Sequence, residues 1–129
     1  NWMQPKRMKG DKATPEGVYM VKTKIPPGKT KYFRALLLNY PNADDLARFE
    51  REKKEGSIPW NVSIGGLIEI HGGGGKQIDW TDGCIALEDS DMLKVYNLAG
   101  QGTPVVIVGS LEDLDTALLR HGVTSYPNL

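Results

Sequence analysis

A chain of 129 residues with sixteen acidic and sixteen basic side chains carries no net charge at neutral pH. That balance excludes the surplus of Lys and Arg that a nucleic-acid partner requires. At 40% apolar and 25% charged residues the composition fits one globular domain, no apolar run approaches the ~20 residues of a bilayer-spanning helix, no secretory signal pattern is present, and a lone cysteine closes no internal disulfide.

From Asn1 to Ala13 the chain is basic and polar, with Lys6, Arg7, Lys9 and Lys12, and reads as a solvated, loosely held leading segment. Turn formers crowd Gly10 to Gly17 and deliver the chain to a strand at Val18–Val21. Pro26-Pro27-Gly28-Lys29 is a turn, and Tyr32–Asn39 is apolar enough for a core strand. Pro41 pushes Tyr40 into an extended corner; a tyrosine there either lines a site or packs into the core. Asn42, Asp44 and Asp45 open a helix. It runs to about Lys54 with a narrow apolar stripe, so it lies on the surface, and it stops near Gly56. In the loop Ser57–Gly66, Trp60 either flanks a groove or closes a core edge. Further on, Asp89 or Ser90 caps a helix over Met92–Leu98, Val105–Val108 is a buried strand, and Leu111–Arg120 is a last helix. His121 follows that helix as a structural or exposed group, and the residues from Thr124 form a loose tail. Short strands between Gly/Pro turns, with two or three helices, predict a mainly β fold with a few peripheral helices.

The stretch that carries chemistry is Ile68–Leu87, IEIHGGGGKQIDWTDGCIAL. An alternating apolar run, Leu67–Ile70, brings His71 to a strand end. Four glycines, Gly72–Gly75, follow as a flexible loop, and Thr81-Asp82-Gly83-Cys84 leads into a second short apolar run. A thiolate is the attacking form of cysteine, and a free thiol titrates near ~8.5, so it needs a base at neutral pH. An imidazole can take that proton and return it to a leaving amine. Gly83 permits close backbone approach, and the N–H groups of Gly83 and Cys84 can face an oxyanion. The competing reading is a core thiol with an unrelated histidine. One Cys, one His and scattered Asp do not form a zinc pattern. The glycines are not a phosphate loop, because no Gly-Lys-Ser/Thr follows at a helix start.

These residues resemble the signature of the L,D-transpeptidase catalytic domain, the YkuD family. That signature is a His-Gly at a strand end, then Ser/Thr-His-Gly-Cys with apolar residues after it. His71-Gly72 and Thr81-Asp82-Gly83-Cys84-Ile85 match it. Gly10-Asp11, Thr14-Pro15-Glu16-Gly17 with Tyr19, and Gly102-Thr103-Pro104-Val105 with Ile107 extend the likeness. Asp82 replaces the second histidine of most members, and Ala86 replaces an arginine or asparagine. The Trp80–Leu87 version, with Tyr40-Pro41-Asn42, is similar to the YafK-like branch of Gram-negative bacteria. The resemblance implies a YkuD-like β-sandwich or open barrel, with residues 1–129 as one catalytic domain that lacks some N-terminal strands. It implies Cys84 as nucleophile, His71 as base, the Gly72 carbonyl as orienter (Asp79 and Asp82 being alternatives) and Gly83 at the oxyanion. Tyr40, Trp80, Thr81 and Asp82 would contact substrate. No cofactor or metal is implied. The implied partner is a peptidoglycan stem peptide containing diaminopimelate, acting as acyl donor in the periplasm or cell envelope. Hydrolysis of the link to an envelope lipoprotein is the favoured activity, with crosslinking or lipoprotein-attaching transpeptidation, or mere cell-wall binding, as alternatives.

Overall fold

The computed structural model describes residues 4–75, 81–109, 116, 119, 120 and 122. Asp79, Trp80, His121 and the tail from Thr124 lie outside the described residues, as does most of the expected last helix. The elements are β1 (Gly17–Ile25), β2 (Ala35–Leu38), α1 (Ala43–Lys54), β3 (Glu69–His71), β4 (Ile85–Ala86), α2 (Asp89–Leu98) and β5 (Pro104–Ile107). Among these residues the strands form one sheet in the order β4-β3-β2-β1-β5. Its pairs are antiparallel except β3 with β4, which run parallel. The architecture is the expected one: mainly β, with α1 and α2 as peripheral helices among the described residues.

Alternation places β1. Tyr19 and Val21 are buried while Val18 and Met20 face out, as a period of two requires. Val21, Leu36, Leu38 and Ile68 meet Met92 of α2 in the core. The Asn42 side chain accepts from the Asp45 N–H, and the Asp45 carboxylate accepts from the Asn42 N–H, at 2.9 and 3.0 Å, a capping box. Asp45, buried, also accepts from the Tyr19 hydroxyl at 2.9 Å and from Arg48 at 3.0 Å. That network ties α1 to β1. It also pushes the Tyr19 phenol up, by burial first and then by the carboxylate it donates to.

Several expectations are corrected. The core strand starts at Ala35, so Tyr32, Phe33 and Arg34 precede it. The β5 strand is half-buried, with Val106 55% exposed. Neither Asp89 nor Ser90 caps α2: its N-cap is Glu88, and no side chain bonds the cap. Trp60 is 83% exposed and closes no core edge. Over residues 6–13 the leading segment is not loose. Lys6 is buried, and the Asp11 carboxylate accepts from the N–H groups of Arg7, Met8 and Ala13 and from Lys6 Nζ, at 2.7 to 3.0 Å. Burial alone would raise the Asp11 pKa; those donors overcome it and hold the carboxyl below its usual range.

Candidate active site

Parallel pairing of β3 and β4 brings the histidine and the cysteine to one sheet edge. Ile70 pairs with Ile85 and His71 with Ala86. Paired residues share a face, and so do residues two apart along a strand. Cys84 immediately precedes β4, beside the strand that ends in His71. The pairing continues past the strand ends: Leu87 N–H donates to the His71 carbonyl, and Gly74 N–H to the Leu87 carbonyl, each at 2.8 Å.

His71 is 1% exposed. Its Nδ1 lies 2.7 Å from the Gly72 carbonyl. A carbonyl only accepts, so Nδ1 carries the hydrogen of this contact, and Nε2 is the nitrogen it leaves for a partner. The Tyr32 ring stacks on the imidazole, with centroids 3.8 Å apart and planes 12° from parallel. The sequence reading missed Tyr32; the signal available was only an aromatic just before a strand that pairs with the histidine strand.

Two of the four glycines are tightly packed. A Cβ on Gly72 would lie 2.7 Å from Asp89 Oδ1 and 2.9 Å from Phe33 Cβ, and one on Gly74 would lie 2.6 Å from the Leu87 carbonyl carbon. Asp89 Oδ1 accepts from the Gly73 N–H at 2.8 Å. The carboxylate expected to cap α2 thus anchors the turn behind His71.

Cys84 sits half-buried on the β3 backbone. Its sulfur accepts from the Glu69 N–H at 3.4 Å, and its S–H donates to the Leu67 carbonyl at 3.5 Å. Leu67 is one of two non-glycine residues with positive φ among the described residues, at 56°. It is 76% exposed, so no side-chain packing explains that conformation. Burial raises the thiol pKa most, and the charges of Glu69 and Asp82 raise it further. The Glu69 N–H and Lys6 lower it, and the net shift is upward. The resting thiol is therefore held toward its protonated form.

Thr81 donates its hydroxyl to the Cys84 carbonyl at 2.7 Å and closes the turn before the thiol. Gly83 is buried with φ 109°, and a Cβ there would run into the Ala13 carbonyl oxygen. Asp82 is exposed and lines a cleft of about 520 Å³ with Lys6, Lys9, Lys12, Gly65 and Leu67. Tyr40 is 6% exposed and belongs to the core cluster. Its hydroxyl donates to the Ile64 carbonyl at 3.4 Å, beneath the cleft wall. Thr81 to Cys84 and His71-Gly72 are thus at one sheet edge, and Tyr40 stands behind them in the core. Among the described residues no group of three His, Cys, Asp or Glu side chains is placed to hold a metal ion. No described helix is long and apolar enough to cross a membrane.

Solved structures share this architecture. Pgp2 of Campylobacter jejuni, a helical cell shape determining protein, matches with a TM-score of 0.58 at 29% identity over 81% of this chain and 34% of that one. A mutant of Pgp2 matches with 0.57 at 27% identity, over 81% and 33%. Bd1075 of Bdellovibrio bacteriovorus has the same fold, with a TM-score of 0.58 at 22% identity over 92% and 42%. The chain thus spans about a third of the length of Pgp2. Comparison with curated proteins returns no match. Residues 5–107 match the YkuD family, the L,D-transpeptidase catalytic domain, and with most of its length inside that match the chain belongs to this family.

Proposed function

We propose that this chain is a cysteine-dependent L,D-transpeptidase domain acting on peptidoglycan stem peptides. The observation that carries the reading is the Nδ1 contact of His71 with the Gly72 carbonyl at 2.7 Å, on the strand paired in parallel with the one that Cys84 leads into. That contact leaves Nε2 as the base. Family membership supports the same roles.

In the proposed reaction the thiol first leaves its two partners on the β3 backbone. His71 Nε2 takes the S–H proton as Cys84 sulfur bonds to the carbonyl carbon of a stem-peptide amide. The Gly83 and Cys84 N–H groups receive the oxyanion. Collapse breaks the C–N bond, and the imidazolium gives its proton to the departing amine. A thioester remains. An acceptor amine then attacks the thioester carbonyl, passes its proton through His71, and releases the Cys84 thiol. Diaminopimelate-containing stems are the proposed donors, and the cell envelope the proposed location.

A second reading replaces the acceptor amine by water and the stem by a lipoprotein-bearing stem, as in the YafK-like branch. Asp82 favours it, since an exposed carboxylate stands where the common signature has an imidazole. Incubation with sacculi and with lipoprotein-bound muropeptides, read by mass spectrometry, tests both. An acyl adduct on Cys84, absent in Cys84→Ala of unchanged fold, is the expected result. Product masses separate amine from water as acceptor. Sacculus binding with neither adduct nor product would replace catalysis by a cell-wall binding role.

A further inference from the structure

The peptide unit joining Gly72 to Gly73 is gripped at both ends. Its carbonyl lies 2.7 Å from His71 Nδ1, and its N–H donates to Asp89 Oδ1 at 2.8 Å. In a trans unit the C=O and the N–H point in opposite directions, so a half-turn of the unit exchanges them. Glycine on both sides removes the Cβ atoms that would oppose such a turn, and Gly73 already sits at φ 78°. The units on either side are tied to the sheet by backbone. Gly72 N–H donates to the Arg34 carbonyl at 3.0 Å, Leu87 N–H to the His71 carbonyl at 2.8 Å, and Gly74 N–H to the Leu87 carbonyl at 2.8 Å.

The two orientations act oppositely on the imidazole. With the carbonyl toward the ring, Nδ1 donates and Nε2 is left to take a proton from a thiol. With the N–H toward the ring, Nδ1 accepts; a neutral imidazole then carries its hydrogen on Nε2, and that nitrogen is no base. Tyr32, flat on the ring at 3.8 Å, resists a swing of the imidazole that would compensate.

Asp89 stands where it holds the first orientation. It opens α2, which Met92, fully buried, fixes to the core. Its Oδ1 is 2.7 Å from where a Cβ on Gly72 would sit, so the absence of a side chain there admits the carboxylate. Asp89 is exposed, and solvent screens its charge. What it supplies is an acceptor oxygen at a fixed place, which an asparagine oxygen can also supply. We propose that Asp89 is a positioning residue that fixes the Gly72–Gly73 peptide and, through it, the tautomer of His71. The inference rests on the acyl-transfer reading and adds a residue to that site.

The test reads the tautomer and the chemistry separately. With His121→Gln in every chain, His71 is the sole imidazole, and long-range proton–nitrogen correlation spectra at mildly alkaline pH show which ring nitrogen is protonated. Acylation of Cys84 by a stem peptide is timed by single-turnover mass spectrometry. In the parent the hydrogen is expected on Nδ1. Asp89→Ala moves it to Nε2 in a large share of molecules and slows acylation about tenfold or more, the effect of one lost hydrogen bond to a charged group, with peptide binding unchanged. Asp89→Asn restores both. Asp91→Ala, which removes the other carboxylate in the first turn of α2, changes neither. A parent hydrogen on Nε2, an unchanged ring in Asp89→Ala, or an equal loss in Asp91→Ala overturns the proposal. If Asp89→Ala moves the hydrogen but the parent forms no adduct on Cys84, the positioning role stands and acyl transfer falls. If every chain is acylated at one rate, acyl transfer stands and the positioning role falls.

Discussion

An aromatic ring lying flat on an imidazole restrains it without occupying either nitrogen. Tyr32 does this to His71 at 3.8 Å. In Tyr32→Ala the ring loses one wall, at a cost of about 1 kcal/mol in positioning. Acylation of Cys84 is expected to slow about five-fold with KM unchanged, and Tyr32→Phe to restore it; single-turnover mass spectrometry checks this. The upward shift of the Cys84 thiol has its own sign. Less thiolate exists at any pH below the raised value, so native alkylation by iodoacetamide should be slower than in the urea-unfolded chain. Its pH midpoint should lie above the ordinary ~8.5. Equal rates in the two states would contradict that burial. His71 and Cys84 were legible because their neighbours in sequence carry the signature. Tyr32 was not, because its relation to His71 exists only through the pairing of β2 with β3, where Ala35 faces His71.

At the scale of elements, two stretches that look like filler are structural. The run Gly72–Gly75 reads as a linker, yet its members differ. Gly74→Ala puts a methyl 2.6 Å from the Leu87 carbonyl carbon, so a loss of about 3 kcal/mol is expected. Gly73→Ala meets nothing nearer than Tyr32 at 3.7 Å and has only its φ of 78° to bear, for about 1 kcal/mol. Urea denaturation of the two variants checks the order. The leading loop reads as solvated because its charges are dense and its apolar residues few. What binds it is one carboxylate, and sequence spacing does not tell that Asp11 turns back on four donors. Asp11→Ala strands buried Lys6 and should cost about 3–5 kcal/mol. The shift of Asp11 is downward, so its contribution is complete above the unfolded carboxyl value and disappears as pH falls through the lower folded one. Asp11→Asn should therefore flatten the acid limb of a stability–pH curve below about pH 4, as measured by thermal melts.

Across the whole molecule the sequence announces its class well. The turn formers before Val18 marked β1, Asn42 and its aspartates marked α1, and Gly/Pro turns marked most boundaries, because local chemistry decides those features. Sheet order was not legible. Nothing in Pro104–Ile107 says that it pairs with Gly17–Met20 rather than with a nearer strand. Long-range pairing of this kind is also what assembles the site. Ala13 meets Gly83, and β1 waits for β5. A ribosome delivers these partners far apart in time, so early residues leave the tunnel long before the ones they will touch. The leading loop emerges first and has no thiol to border; Cys84 emerges later, before β5 has closed the sheet on β1. A chain interrupted ahead of Ile107 would carry Cys84 without the completed sheet, and its reactivity would be that of any unfolded cysteine. Synthesis itself thus withholds the native surroundings of the thiol until β5 is made.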